Sequence, residues 1–336
     1  MRGNHQVQGV FGHDQNQWAK RKMVTIAVFP GQGAQAVGMG KQLYDQYPAA
    51  KEVFDTVDAA LGQKLSDIIF DGPSETLTAT ENAQPALMAC SIAAVRAFEA
   101  ETGQKLADAA NYVAGHSLGE YSALCAAGAV SLEDTAKLLR LRGAAMQRAV
   151  AVGDGAMAAI MGLSPAAIDA LLDTLDAGVV VLANDNSDGQ AVLSGAKTAV
   201  EAAAKAAKDA GAKRALMLDV SAPFHCPLMQ PATEELAPAL SAIRWQTPTM
   251  PVIANVTAQP NADPGQFTAL LTEQVTGQVR WRESMTTMQT LGASKIIEFG
   301  AGKVLSGLTK RALKGAACKA IGTPDDLAGI NDWLAA

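Results

Sequence analysis

Three side chains in this sequence are of types that could work together on an acyl group: Ser117, His225 and Arg142. Ser117 lies in Gly115-His116-Ser117-Leu118-Gly119, after the apolar run Tyr112-Val113-Ala114 and before the Ala-rich run Tyr121 to Ala129. That order reads as a strand, a tight turn and a helix, with a serine at the apex. Such a turn strains the backbone, and side chains at the two flanking positions would collide with neighbouring elements, so both are glycine. The serine then stands above a sheet at a helix N-terminus, where free backbone N–H groups can stabilise an oxyanion. The plain alternative is a serine that only caps a buried helix.

A serine nucleophile needs a base. The sequence holds four histidines. His5 and His13 fall in a polar N-terminal stretch and are discounted. His116 adjoins Ser117 at a strand end, where neighbouring side chains diverge. His225 remains, in the loop Ser221-Ala222-Pro223-Phe224-His225-Cys226-Pro227. A lone histidine is commonly structural, and elimination is what selects this one. Cys226 beside it reads as a buried free thiol.

Arg142 stands out on a helix that starts at Ser131, with Glu133 and Asp134 in its first turn. At about 100° per residue, Glu133, Lys137, Arg140, Ala144, Gln147 and Arg148 share a solvated face. Leu138, Leu139, Met146, Ala149 and Val150 share the other, and Arg142 is the only charged residue there. A cation on a buried face needs a partner. That partner is either a buried Asp or Glu, or the anionic group of a substrate held by the guanidinium fork.

One glycine-rich loop is a decoy. Gly31-x-Gly33-x-x-Ala36 follows the strand Thr25 to Phe29 and fits a loose dinucleotide fingerprint. That reading needs a second strand ending in an acid about 20 residues on. Gln42 to Leu61 reads as helix instead, so a dinucleotide-dependent oxidoreductase is disfavoured. The other use of such a loop is to present backbone N–H groups to an anion.

The elements that must position these residues follow in order. Leu65 to Phe70 is a short helix, and Pro85 opens a long apolar helix, Ala86 to Glu99. Ala156–Met161, Pro165–Leu175, Val179–Leu182, Gln190–Leu193, Thr198–Ala210 and Ala215–Val220 read as β-α-β-β-α-β, with a turn over 184–189. Pro251 to Asn255 is a further strand, and Phe267 to Gln274 a helix. A helix through Met285 and Met288 follows, then the strand Lys295 to Phe299, a helix bearing Lys303, Lys310, Arg311 and Lys314, and a final strand near Cys318. The expected fold is α/β. A large α/β-hydrolase-like subdomain with a mostly parallel sheet (23–152 and 222–325) carries a small ferredoxin-like, split-βαβ subdomain (153–221) inserted in it. Residues 1–22 read as a disordered extension, with Met23 as the natural start.

Composition sets the bounds. With 336 residues, 49% of them apolar and 18% charged, the chain can bury a full core. A net charge of −6 argues against general nucleic-acid binding, and no apolar run is long enough to span a bilayer. Cys90, Cys125, Cys226 and Cys318 show no paired or metal-ligand spacing, so no metal is expected and a reducing cytoplasm fits.

Five segments in order carry a family likeness: Phe29-Pro30-Gly31-Gln32-Gly33-Ala34-Gln35, Gly115-His116-Ser117-Leu118-Gly119-Glu120, Arg140-Leu141-Arg142-Gly143, Pro223-Phe224-His225-Cys226 and Gly302-Lys303-Val304-Leu305. Together they resemble malonyl-CoA:acyl carrier protein transacylases and the acyltransferase domains of fatty acid and polyketide synthases, from about Val24 to Leu313. The resemblance implies malonyl transfer from malonyl-CoA to the phosphopantetheine thiol of acyl carrier protein, through an ester on Ser117. It implies His225 as general base and acid, oriented by the backbone carbonyl of Gln274. It implies an oxyanion hole from the N–H groups of Gln32 and Leu118, and Arg142 on the malonyl carboxylate. His116, Asn184 and Asn186 become pocket lining, no cofactor is needed, and the working unit is a monomer. Leu118 and Phe224 match the malonyl-selective pattern, where methylmalonyl-selective relatives tend to carry glutamine and serine. Ala34, where serine is frequent, and Asp185 depart from the common pattern. Two rivals stay open: an esterase or thioesterase using the same Ser117 and His225, and a non-catalytic subunit that binds a carrier protein.

Overall fold

The structure is a computed structural model that describes residues 23–220 and 222–336; the N-terminal extension, with His5 and His13, lies outside the described residues. Among these, ten strands form two sheets: β1 (Val24–Phe29), β2 (Tyr112–Gly115), β3 (Gly155–Met161), β4 (Val180–Ser187), β5 (Gln190–Ala196), β6 (Arg214–Met217), β7 (Val252–Ile253), β8 (Pro260–Asn261), β9 (Ala293–Phe299) and β10 (Ala317–Ile321).

The large sheet has the order β10-β9-β1-β2-β7-β8 and is parallel except for β8. Parallel sheets are covered on both faces, which β1 shows in its alternation. Ala27 and Phe29 pack into one apolar cluster with the long helix Thr80–Thr102, and Ile26 and Val28 into another with Trp281, Met285 and Met288. Phe29 and Gly115 end β1 and β2 side by side, so the loop after β1 and the turn after β2 leave the same edge of the sheet. Loops at the carboxyl ends of parallel strands are where such sheets bind ligands.

The small sheet is antiparallel with the order β4-β5-β3-β6. With helices Pro165–Leu172 and Lys197–Asp209 between its strands, this is the ferredoxin-like order. It has its own apolar cluster, including Ile160, Ile168, Leu193 and Val200. The two ends of the segment meet: the Leu218 N–H bonds the Met157 carbonyl at 2.9 Å, and a Cβ on Gly155 would stand 2.4 Å from the Pro223 ring.

Four sequence expectations change. The polar stretch 184–189 is not a turn; β4 runs through Ser187 and only Asp188-Gly189 turns. Asn and Asp favour turns because their side chains bond the backbone nearby, but here Asp185 and Asn186 have tertiary partners instead. The Asp185 carboxylate takes two bonds from Arg282 Nε, at 2.9 and 3.0 Å, and the Asp185 N–H bonds the Val279 carbonyl. These contacts tie β4 to the helix Trp281–Thr290. Pro48 splits the expected 42–61 helix into Lys41–Gln46 and Pro48–Leu61, because proline cannot donate to the first. These helices occupy the place where the dinucleotide reading would require a second strand. Pro85 sits inside the helix Thr80–Thr102 rather than at its start. A helix over Gln230–Ala242 has no counterpart in the sequence reading, since Pro231 and Pro238 mask its period. No helix among the described residues is long and apolar enough to cross a membrane.

Candidate active site

The turn after β2 has the geometry its glycines imply. Ser117 holds a φ of 53°, a left-handed value that costs a non-glycine residue energy. A Cβ on Gly115 would lie 1.9 Å from the Gly119 carbonyl group, and one on Gly119 would lie 2.3 Å from the Phe29 carbonyl oxygen. Nothing larger than glycine fits either place. Asn255, just after β7, braces the turn: its Oδ1 accepts from the Ser117 N–H at 2.7 Å and its Nδ2 donates to the Gly115 carbonyl at 2.7 Å.

His225 approaches from its proline-flanked loop, itself at a φ of 58°. The Ser117 hydroxyl and His225 Nε2 are 2.7 Å apart, and His225 Nδ1 is 2.9 Å from the Gln274 carbonyl oxygen. A carbonyl can only accept, so Nδ1 carries the proton and Nε2 is the acceptor facing Ser117. Burial, and after it the charge of Arg142, push His225 down to about 3. The ring is therefore neutral near pH 7. Burial also lowers His116, whose Nε2 lies 2.8 Å from Asn186 Oδ1 on β4.

Arg142 is 1% exposed. The buried acid considered as its partner is not in contact: among the described residues no carboxylate forms an ion pair with it. Its bonds go to neutral oxygens instead. Nη1 donates to Gln84 Oε1 at 2.8 Å, and Nη2 to Gln274 Oε1 at 3.0 Å and the Ser117 hydroxyl at 3.2 Å. Among the described residues Nε has no hydrogen-bond partner, and the guanidinium carbon stands 5.5 Å from the centre of the Tyr121 ring. A buried cation bonded only to neutral oxygens keeps its charge unbalanced, and such a site can take an anionic group.

These groups open on a cavity of about 360 Å³ between the two sheets. Ser117, His225, Arg142, Gln84 and Phe224 line one side; Met157, Asn184, Asn186, Gln190 and Val192 line the other. Asn184 Oδ1 is buried there without a partner. The loop Pro30 to Gln35 closes one end. The backbone N–H groups of Gln32 and Leu118 take no partner from the described residues, so both are available to an oxygen at the Ser117 end. Every sequence-selected residue thus falls in this region. Gln84, Glu120 and Asn255 were missed as site residues. Gln84 read as part of a helix opening and Asn255 as a strand end. Glu120 stood only as the last residue of the Gly115 to Glu120 segment, with no role given to it. No local pattern marks Gln84 or Asn255.

The sequence model described as the acyl transferase domain matches residues 26–327. A malonyl CoA-acyl carrier protein transacylase of Bacillus subtilis (strain 168) is 46% identical over 302 residues, 89% of this chain and 94% of that protein. A crystal structure of an acyl-carrier-protein S-malonyltransferase from Bartonella henselae superposes with a TM-score of 0.90 at 49% identity, covering 94% of this chain and all of that one. A malonyl-transacylase solved in complex with a holo type II PKS acyl-carrier protein superposes at 0.87 with 39% identity, covering 91% of this chain and 98% of that one. Sequence and fold agree over nearly the whole described chain, which belongs to the acyl transferase domain family.

Proposed function

We propose that the chain transfers a malonyl group from malonyl-CoA to the phosphopantetheine thiol of an acyl carrier protein, supplying fatty acid or polyketide chain extension. The observation that carries this reading is Arg142, a buried cation without an ion-pair partner, within hydrogen-bond reach of the nucleophile. A simple esterase has no use for such a group. The names of the relatives and the carrier-protein complex of one neighbour support the same donor and acceptor.

The chemistry runs in two halves. Ser117 Oγ passes its proton to His225 Nε2 as it attacks the thioester carbonyl. The Gln32 and Leu118 N–H groups hold the oxyanion, and the Arg142 fork holds the free malonyl carboxylate. The C–S bond breaks, and His225 returns the proton to the departing CoA sulfur. The carrier thiol then gives its proton to His225, its sulfur attacks the ester carbonyl, and the C–Oγ bond breaks with the proton going back to Ser117. The Gln274 carbonyl keeps Nδ1 protonated throughout, in place of an acid. His116, Asn184, Asn186 and Phe224 shape the pocket around the acyl and pantetheine groups. No cofactor enters these steps.

Residues 153–221 act as an inserted unit between 23–152 and 222–325, a division supported by their separate apolar cluster. One chain holds every group used, which supports a monomer. Four free thiols support a reducing, cytoplasmic setting. Exposed Lys303, Lys310, Arg311 and Lys314 form the docking patch for an acidic carrier protein.

Intact-protein mass after brief incubation with malonyl-CoA tests the reading. A malonyl adduct on the wild type, absent from Ser117→Ala and weak in Arg142→Ala, is the expected result. Rapid loss of the adduct in water without a thiol acceptor would shift the assignment to a hydrolase. No adduct and no CoA release would overturn it.

A further inference from the structure

Glu120 follows the nucleophile turn and is 3% exposed, yet the steps above do not use it. One carboxylate oxygen, Oε2, accepts from the Asn255 N–H at 3.0 Å and from Gln274 Nε2 at 2.7 Å. Gln274 turns its other amide atom, Oε1, to Arg142 Nη2 at 3.0 Å, and its Nε2 also reaches the Ser117 carbonyl at 3.0 Å. Only one setting of the amide satisfies these contacts, because Arg142 can only donate while a carboxylate and a carbonyl accept. A single amide therefore separates an anion from a cation in a buried site.

Resting on the malonyl-transfer reading, we infer that Glu120 is a positioning residue for Arg142: its carboxylate is the counter-charge of the guanidinium, held at one remove by the Gln274 amide. Two consequences follow from placing it there. The amide prevents Glu120 from closing on Arg142, so the fork stays turned toward the cavity. The carboxylate also offsets part of the field that an incoming acyl carboxylate meets, which weakens the hold on that carboxylate. A group that merely braced the fold would act alike on every acyl donor. Glu120 should discriminate between donors that carry a free carboxylate and donors that do not.

The test compares Glu120→Gln with wild type using malonyl-CoA and acetyl-CoA. It is run at pH 8, where a carboxyl pushed up to about 7 is ionised. Glutamine can keep both hydrogen bonds at Oε1 while removing the charge. The expected result is a KM for malonyl-CoA lowered about fivefold with kcat near wild type, and a KM for acetyl-CoA that does not follow. Equal shifts for the two donors, or no shift for either, would overturn the inference and leave Glu120 a structural group. Glu120→Asp restores the charge on a shorter stem and should move the malonyl KM back toward wild type; a KM still at the glutamine value would also count against it. Failure of the underlying reading shows separately, as a wild-type enzyme that takes no malonyl group onto Ser117.

Discussion

The role proposed for His225, a general base, depends on its being kept neutral. Burial removes the water that would stabilise imidazolium, and the Arg142 charge opposes protonation further. Both effects lower the pKa, so the acidic limb of the acylation rate should lie well below the 6.5 of an ordinary histidine. Replacing Arg142 by alanine removes the second cause and leaves the first. The limb should then move to higher pH without reaching 6.5. The pH dependence of kcat/KM for acetyl-CoA, which needs no carboxylate seat, measures this; an unmoved or lowered limb would contradict it. The same shift has a stability sign. The unfolded chain takes up this proton more readily than the folded one, so the His225 contribution is present above about 6.5 and is lost as pH falls toward about 3. Glu120 runs the opposite way. With a folded carboxyl at about 7 against 4.5, its contribution is present below about 4.5 and is lost as pH rises through about 7.

At the scale of elements, the strained turn at Ser117 exists because three neighbours hold it: the strand β2 before it, the helix Gly119–Ala126 after it and Asn255 beside it. Asn255→Ala would strip the Ser117 N–H and the Gly115 carbonyl of buried partners and should cost about 2–4 kcal/mol. Urea unfolding reads this as a lower midpoint at an unchanged slope. Gly115→Ala places a methyl inside the helix backbone and should give no soluble folded protein. The strand, turn and helix were legible in the sequence because glycine spacing and apolar runs are local signals. So was Arg142, since a helix wheel exposes a charge on the wrong face. Asn255, Gln84 and the strand character of Asn184 to Ser187 were not legible. Their roles come from partners distant in sequence: Ser117, Arg142 and, for β4, Val279 and Arg282. Neither periodicity nor turn chemistry carries information of that kind.

At the scale of the whole molecule, the candidate active-site cavity and the proposed docking patch meet at the helix Val304–Ala312, whose first residues line the cavity and whose last turn bears Lys310 and Arg311. Charge reversal there, as Lys310→Glu with Arg311→Glu, should raise the KM for carrier protein about tenfold and leave that for malonyl-CoA near wild type. Steady-state kinetics with each substrate varied in turn decides it; equal effects on both would remove the patch. The cavity itself is a shared possession. One wall comes from the large sheet and its loops, and the other from a segment whose two ends touch at Gly155 and Pro223. In genetic terms the inserted unit proposed above is a cassette. Recombination could exchange codons 153–221 with those of a relative and need no new linker, provided the partners of His116 and Arg282 came along. The wall with Asn184, Asn186 and Gln190 would then come from one parent, and Ser117, Arg142 and Phe224 from the other.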